Sequence, residues 1–380
     1  MSHGIADSMY DCAEQNSGEG MAGNDKDRIV FLDYMRVFAF MSVLIGHKFL
    51  GHLNAIAADA TQHIAIRYLA EATIPLTSAC GVIVFFLTSG YIITHVIQTE
   101  KPTEFLIKRF FRIYPLYAAA IVLEAVMERT INGLPFPPLS ILLPRLLLVG
   151  DFFSTPYALL NVEWTLRIEV MFYLFMAALK VTGLIKKPEW LPGTFLAASI
   201  ALFISGPFPA FIPWSTGYFT IYAPYLLIGS CIYLAQYAKA KPGICVLSSA
   251  LMLLLSLTAV AKYQPIWKES NYAAFALIIF VGAIVLQRYL HDGPLVRLFS
   301  NLTYAVYLFH NWLWQFLVDA SLFIGIRWIP ISVQVLIALF VFCYLTHITV
   351  EKYGLAVGRY AIKKYRVIAG QDARPERPVM

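Results

Sequence analysis

An arginine and a histidine lie within a largely apolar run of the sequence, YMRVFAFMSVLIGHKF, at residues 34–49. Arginine is suited to binding anions, and histidine to transferring protons near neutral pH. Arg36 and His47 are eleven positions apart, so an α-helix brings them to within about 20° of one face and about 16 Å apart along its axis. The alternative is that each side chain simply reaches the nearest lipid headgroups. The shared face within an apolar helix favours a function for the pair.

A carboxylate lies within a second apolar run, NVEWTLRIEVMFYL, at residues 161–174. Glu169 is about two turns into this helix, where an ionised carboxylate needs a partner. Because this helix is expected to cross the membrane in the opposite direction to the first, Glu169 is predicted at a depth similar to that of His47. A carboxylate beside an imidazole orients a catalytic histidine and raises its basicity. We therefore predict a catalytic pair of His47 and Glu169; the alternative is a structural ion pair between Glu169 and an arginine.

A third stretch, FLIKRFFRIYPLY at residues 105–117, places a basic patch at the start of a helix. Arg112 follows Lys108 by four positions and Arg109 by three, so the three side chains form one patch. The positive end of the helix dipole and the clustered guanidinium groups suit phosphate binding. The alternative is the ordinary excess of basic residues on the cytoplasmic side of a membrane protein.

A polar stripe is predicted in the stretch SNLTYAVYLFHNWLW, where Thr303, Tyr307 and His310 follow one another at helical spacing. The three side chains either line a substrate channel or form hydrogen bonds within the helix bundle. The run GVIVFFLTSGYIITH contains several small residues, among them Ser89 and Gly90. We interpret these two as residues that let neighbouring helices pack closely.

The composition predicts an all-α, polytopic membrane helix bundle. Of the 380 residues, 59% are hydrophobic and 14% are charged, which is unlike a soluble globular domain. Most of the 29 lysine and arginine residues fall in segments on the same side as the N-terminus, which predicts an N-in, C-in orientation. A membrane span needs about 20 mostly apolar residues, and about ten runs qualify, at roughly 29–50, 79–98, 110–128, 164–184, 191–207, 218–237, 243–261, 272–290, 300–320 and 329–350.

The domain boundaries follow from where the apolar runs begin and end. Residues 1–27 are polar and are predicted to form a flexible cytoplasmic tail, residues 28–352 the transmembrane domain, and residues 353–380 a basic cytoplasmic tail. The five cysteines are scattered without metal-ligand spacing, so no metal site is predicted. The basic residues lie between apolar runs and not on one face with aromatic residues, so nucleic acid is not an expected partner.

In this order the stretches resemble membrane acyltransferase family 3, the bacterial O-acyltransferases of glycans and other hydroxyl acceptors. Arg36 and His47 match the family's motif of arginine, ten residues and histidine, and Glu351 in HITVEK matches a weaker closing acidic position. Thr165 and Arg167 stand where the family usually has serines. Four further stretches of this chain are similar to motifs of the family. GVIVFFLTSGYIIT is similar to the motif FFxLSG, IKRFFRIYPLY to RRxxRIxP, WTLRIEVMFY to WSLSxExxFY, and TYAVYLFH to SYxxYLxH.

The resemblance implies an acyl-CoA donor, acetyl-CoA being the commonest in the family, and a glycan or polysaccharide acceptor at the bacterial inner membrane. Under it, the basic patch holds the nucleotide of the donor and Arg36 lies on the donor's path. His47, paired with Glu169, acts as the general base on the acceptor hydroxyl or carries the acyl group briefly. Membrane lipid and polysaccharide-assembly proteins are the expected partners.

Two other functions fit the same residues without the resemblance. One is a transporter or flippase that moves a glycan or a lipid-linked sugar, with the intramembrane charges as its pathway. The other is a non-catalytic membrane partner of a polysaccharide synthase, in which the polar face of the first span would be dispensable. Movement of substrate without consumption of acyl-CoA would distinguish the transporter from the enzyme.

Overall fold

The computed structural model describes residues 28–210, 216–268 and 272–369, and all regular secondary structure in these ranges is helical. The predicted all-α class is therefore confirmed. The predicted N-terminal tail, residues 1–27, and residues 370–380 of the predicted C-terminal tail lie outside the described residues.

Fifteen α-helices account for most of the described chain, joined by short 3₁₀ turns and loops. In chain order they are α1 (Val30–Lys48), α2 (Leu50–Ala58), α3 (Ile64–Thr73), α4 (Ala79–Ile97), α5 (Pro102–Ile131), α6 (Leu139–Leu146), α7 (Trp164–Val181), α8 (Leu191–Ile204), α9 (Tyr218–Gln236), α10 (Pro242–Tyr263), α11 (Ala273–Val285), α12 (Pro294–Phe309), α13 (Leu313–Ile324), α14 (Ile331–Thr346) and α15 (Lys352–Ile368).

The apolar helices make this chain a membrane protein. Within the described residues, six helices are long and apolar enough to cross a membrane: Val30–Lys48, Ala79–Ile97, Pro102–Ile131, Tyr218–Gln236, Pro242–Tyr263 and Ile331–Ile368. Three shorter apolar helices accompany them. The count of about ten spans and the N-in, C-in orientation stay predictions.

The run predicted at residues 300–320 is not one continuous helix. Helix α12 ends at Phe309 and α13 begins at Leu313. The break has a local cause, because the imidazole Nδ1 of His310 lies 2.8 Å from the Tyr307 carbonyl oxygen. That oxygen would accept the backbone N–H of Asn311 if the helix continued. The histidine side chain therefore replaces a backbone hydrogen bond at this point.

Helix α4 lies at the centre of the bundle and packs against α1, α9 and α11. A Cβ atom added to Gly90 would overlap the carbonyl oxygen of Leu226 on α9, and one added to Gly229 would overlap that of Leu87. The two helix backbones are therefore in direct contact, as the interpretation of Gly90 as a packing residue requires. Ser89 differs, because its side chain lines a cavity.

Much of the segment predicted as a C-terminal tail is helical and packed. A π-helical turn, His347–Glu351, joins α14 to α15. Helix α15 lies against α5, where Gly358 approaches the side chain of Phe111. At its far end Arg366 forms a two-pronged ion pair with Glu104, with a shortest distance of 2.6 Å.

Candidate active site

A cavity lies between α1, α4, α5, α7 and α12; the space between its lining atoms is about 930 Å³ when the part open to solvent is included. Six of the nine site residues predicted from the sequence line it: Arg36, Arg109, Arg112, Glu169, Thr303 and Tyr307. Arg112 is exposed as well as cavity-lining, so the cavity is accessible at the end where the three arginines lie. We refer to this end of the bundle as the basic end and to the opposite end, where α1 finishes, as the histidine end.

The basic end carries more positive than negative charge. Arg36 contacts Asp33 at 3.3 Å, but Asp33 is shared with Arg28 at 2.5 Å. Arg109 is 3.9 Å from Glu100, and Arg112 has no ion-pair partner within the described part of the chain. Guanidinium groups that share or lack counter-ions are suited to binding an anion.

Lys108 does not line the cavity. Its ammonium group is 2.7 Å from Glu100, and 44% of its side chain is exposed. The sequence spacing placed Lys108, Arg109 and Arg112 in one patch, and the helix does keep them together. Helix α5 nevertheless turns the two arginines towards the cavity and the lysine away from it. Which of the three side chains faces the cavity depends on how α5 packs against its neighbours.

Glu169 accepts hydrogen bonds from Ser89, at 3.1 Å, and from Tyr173. It makes no contact with His47 among the described hydrogen bonds, so the predicted side-chain pair of His47 and Glu169 is not formed. The two side chains lie at different depths in the bundle. Thr165 contacts Tyr307 and is therefore level with it. Glu169 lies one turn beyond Thr165, about 6 Å along the axis of α7, towards the basic end and away from His47.

His47 pairs instead with His310 at the histidine end. The His47 Nδ1 and His310 Nε2 atoms are 2.8 Å apart, and the two rings stack with centroids 5.0 Å apart. His310 is 1% exposed, whereas His47 is an exposed side chain. The sequence placed His310 in a possible channel stripe and gave no signal that the ninth predicted run would meet the end of the first.

The hydrogen-bond partners of His310 fix the tautomers of both rings. Its Nδ1 faces two carbonyl oxygens, of Tyr307 at 2.8 Å and Val306 at 3.2 Å. Carbonyl oxygens only accept, so this Nδ1 carries the hydrogen and the neutral ring accepts at Nε2. The His47 Nδ1 must then donate to it, which leaves the His47 Nε2 lone pair unprotonated. An exposed imidazole with a free Nε2 is able to act as a base or a nucleophile.

Tyr307 lines the cavity, and its ring centroid is 6.0 Å from that of His310. Its hydroxyl donates to the Val162 carbonyl oxygen at 2.7 Å and lies 2.5 Å from the Thr165 hydroxyl. Thr303 and Tyr307 both line the cavity, so two members of the predicted polar stripe face it while the third, His310, holds His47. Thr165 also lines the cavity, so its hydroxyl lies at the wall shared with Tyr307.

Arg167 forms a buried charge cluster that the sequence pattern did not predict. Its guanidinium is 2.7 Å from Asp151 and 2.5 Å from Glu163, and all three residues are less than 10% exposed. Tyr117 donates to Glu163 at 3.1 Å, and Tyr218 donates to Asp151. The arginine therefore pairs with these carboxylates and not with Glu169, and it ties α5, α7 and α9 to the segment that precedes α7.

Loss of the Arg167 charge is expected to destabilise the fold. In Arg167→Met, Asp151 and Glu163 stay buried without a counter-ion, which typically costs about 3–5 kcal/mol. The measurement is the thermal unfolding midpoint in lipid nanodiscs, which we expect to fall well below that of the wild type. Arg297→Gln is the matched control, because its partner Asp292 is at the surface and such pairs contribute little. Equal midpoints for the two variants would contradict a structural role of the cluster.

Comparison with known proteins bears on what this arrangement does. A protein-family model described as an acyltransferase domain matches residues 29–348. The chain belongs to acyltransferase family 3. Acyltransferase MdmB of Streptomyces mycarofaciens is similar to it, with 24% identity over 313 residues that cover 74% of this chain and 78% of the relative. No solved structure matches.

Membership of the family identifies the protein as a membrane acyltransferase and covers the cavity and both histidines. The donor, the acceptor and the roles of individual residues are not specified by the match. In the described ranges no group of three or more histidine, cysteine or acidic side chains has an arrangement that could hold a metal ion. The expectation that no metal is used stays a prediction.

Proposed function

We propose that this protein is a multi-pass O-acyltransferase of the bacterial inner membrane that moves an acyl group, acetyl in the first instance, from cytoplasmic acyl-CoA to a hydroxyl of an exported or cell-surface polysaccharide or its lipid-linked precursor. The observation that carries the proposal is the free Nε2 of His47, held by His310 at one end of a bundle whose other end is an arginine-lined cavity. Family membership supplies the acyl-transfer chemistry.

The donor is proposed to enter at the basic end, which then faces the cytoplasm. Acyl-CoA carries several phosphate groups, and Arg36, Arg109 and Arg112 present three guanidinium groups around the cavity there. The phosphates would take the place of the shared carboxylates as counter-ions. The acyl-pantetheine arm would extend past Thr303 and Tyr307 towards His47, along a helix α1 that separates Arg36 from His47 by about 16 Å.

His47 is proposed to act as the general base. Its Nε2 takes the proton of the acceptor hydroxyl as the oxygen attacks the thioester carbonyl, and the resulting imidazolium keeps its Nδ1–H bond to His310. Collapse of the tetrahedral intermediate breaks the carbon–sulfur bond, and the proton on Nε2 passes to the thiolate to give free CoA. In the acyl-carrier alternative, Nε2 attacks the thioester carbonyl, the carbon–sulfur bond breaks and CoA leaves as its thiolate. The acceptor hydroxyl then attacks the acyl carbon, the carbon–nitrogen bond breaks and restores Nε2, and the hydroxyl proton passes to the thiolate.

The role proposed for Glu169 changes with its position. It lies among Ser89, Tyr173 and the arginines of the cavity, not beside His47. A buried carboxylate at this place orients the surrounding donors and balances part of the arginine charge while the donor is absent. Glu169 is therefore proposed as a residue of the donor cavity and not as the partner of the catalytic base.

The proposed function is tested by following free CoA and product together. Purified protein in proteoliposomes is supplied with acetyl-CoA and with surface polysaccharide from cells that lack the protein, and acylation is followed by mass spectrometry. One acetyl group on the polysaccharide is expected for each CoA released. Translocation of a labelled glycan without CoA release would instead support the transporter or flippase alternative.

Removal of a cavity arginine is expected to weaken donor binding. A charge-assisted hydrogen bond to phosphate contributes about 1.5–3 kcal/mol, so Arg109→Gln or Arg112→Gln is expected to raise KM for acyl-CoA about 10- to 100-fold with a smaller change in kcat. Lys108→Gln is the matched control, since Lys108 lies one position from Arg109 but outside the cavity. Equal rises in KM for all three variants would show that general surface charge, not the cavity, attracts the donor.

A further inference from the structure

A second polar pocket lies outside the donor cavity, between α5 and the chain that leads from α5 to α7. The space between its lining atoms is about 580 Å³ when the part open to solvent is included. Its polar lining comes from Glu124, Glu128, Arg145 and Tyr157, and its apolar lining includes Pro135 and Pro137. None of these residues takes part in the donor cavity or in the histidine pair.

The pocket is at the histidine end of the bundle. On α5, Glu124 is twelve positions beyond Arg112, which is about 18 Å along the axis. On α1, the distance from Arg36 to His47 is about 16 Å. Because Arg36 and Arg112 line the same cavity, Glu124 and His47 lie at similar levels, on the side away from the donor's entrance.

Three polar side chains of the pocket, those of Glu124, Glu128 and Arg145, have unused hydrogen-bonding atoms within the described part of the chain. Glu124 accepts the Leu159 N–H with one carboxylate oxygen, at 2.8 Å, and Glu128 accepts from Asn132 with one oxygen, at 2.7 Å. The other oxygen of each carboxylate has no protein partner there. Arg145 donates its Nε and Nη2 to backbone carbonyls and keeps Nη1 unused.

This lining favours a neutral, polyhydroxylated occupant. Two carboxylates repel a free anion, and the adjacent Arg145 guanidinium disfavours a simple cation. A sugar ring satisfies both kinds of group, since its hydroxyls donate to the carboxylates and accept from the guanidinium. The proline walls of the pocket offer apolar surface to the C–H faces of such a ring.

A short hydrogen-bonded path connects the pocket with the histidine pair. Residues 159–161 all have positive φ, 51°, 46° and 68°, which is unusual for residues other than glycine. Leu159 is held by Glu124 through its N–H, and the Leu160 carbonyl accepts from Asn311 at 2.8 Å. Asn311 in turn accepts from Lys48, next to His47, at 2.9 Å. The strained segment is therefore held by two side chains, by Glu124 of the pocket and by Asn311, which itself contacts Lys48 next to His47.

We propose that this pocket is an acceptor subsite, which holds a neutral glycosyl unit of the acceptor while a neighbouring hydroxyl is presented to His47. The role of the pocket as an acceptor subsite rests on the proposed acyltransferase function, whereas the binding of a sugar in the pocket can be measured without it. Glu124 and Glu128 accept hydroxyl hydrogens, and Arg145 donates to a hydroxyl or ring oxygen.

The test uses full-length protein in lipid nanodiscs and three neutral disaccharide probes: cellobiose, maltose and N,N′-diacetylchitobiose. Binding is measured by saturation-transfer NMR on the sugar protons. We expect signal for at least one probe with the wild type, and a fall of about tenfold or more in apparent affinity in the double variant Glu124→Gln, Glu128→Gln. Glutamine retains an oxygen for Leu159 N–H or Asn132 but loses the second acceptor atom.

Control variants separate binding from folding and from catalysis. Glu71→Gln removes an exposed carboxylate of α3 that lies outside the pocket and is expected to bind the probe as the wild type does. Glu128→Gln alone, which affects a half-buried residue near the end of α5, serves if the double variant does not fold. The proposal is overturned if none of the probes binds the wild type, or if the folded pocket variants bind the probe unchanged.

The same variants distinguish failure of this proposal from failure of the proposed function. His47→Gln is expected to lose acyl transfer but to keep the saturation-transfer signal, because His47 does not line the pocket. If transfer from acyl-CoA proved independent of His47, the proposed role of His47 would be wrong, but binding of the sugar probes would still test the pocket. If transfer depended on His47 but the pocket variants had the wild-type KM for the acceptor, the subsite would be wrong and the chemistry would stand.

Discussion

His47→Ala is expected to be almost inactive in acyl transfer. A positioned general base contributes roughly 10²- to 10⁴-fold to the rate, and His47 offers the only ring nitrogen of the described histidine pair that has neither a hydrogen nor a protein partner. Alanine removes that atom and leaves the arginine-lined cavity intact, so KM for acyl-CoA is expected to change little. The measurement is steady-state release of free CoA thiol with polysaccharide present.

His52→Ala provides the matched control for this prediction. His52 is an exposed histidine five positions further along the chain, on α2, and it does not line the cavity. The variant is expected to keep wild-type activity. Acyl transfer that persisted in His47→Ala would contradict the proposed mechanism, whether His47 acts as the general base or as the acyl carrier.

The helical periodicity of a single segment was enough to predict how two of its side chains are spaced along one helix. Arg36 and His47 lie on one helix, α1, so their spacing along it follows from the rise and rotation per residue. The packing of the helices then places Arg36 at the cavity and His47 outside it. Likewise, the three-residue spacing of Arg109 and Arg112 is retained within α5 and brings both to the cavity. Such features are local, because covalent geometry fixes them once the segment is helical.

Contacts between helices were not predictable in the same way. The pair of His47 and Glu169 required the depths of two helices, and an error of about two turns placed the carboxylate at the wrong end of the cavity. Helix α7 begins at Trp164, where the predicted run also begins, so the error lay in the relative depths of α1 and α7 and not in the bounds of α7. Hydropathy locates a membrane span to within several residues, which is too coarse to match side chains on different helices.

The actual partner of His47 came from a break in helix α12 that hydropathy does not detect. The stretch around His310 is apolar enough to read as one span, and the side-chain bond to the Tyr307 carbonyl occupies the acceptor that a continuing helix would use. The same bond dictates which nitrogen of His310 faces His47. One backbone interaction therefore sets both the local fold and the protonation pattern of the proposed base.

His310→Leu is expected to lower kcat by about 10²-fold without a matching change in KM for either substrate. Leucine cannot accept a hydrogen from His47 Nδ1, so His47 loses the bond that holds its ring and leaves Nε2 unprotonated. His310→Gln is expected to recover a large part of the rate, because its side-chain amide oxygen can accept the same hydrogen. A role in packing alone would make both variants lose thermal stability and activity together.

A spectroscopic measurement tests the role of His310 apart from the rate. With ¹⁵N-labelled histidine, solid-state NMR distinguishes ring nitrogens that carry a hydrogen from those that do not. In the wild type, His47 is expected to show a protonated Nδ1 and a bare Nε2; in His310→Leu we expect a mixture of both neutral tautomers. An unchanged His47 spectrum in that variant would show that something other than His310 sets the tautomer, and the positioning role would then be wrong even if activity fell.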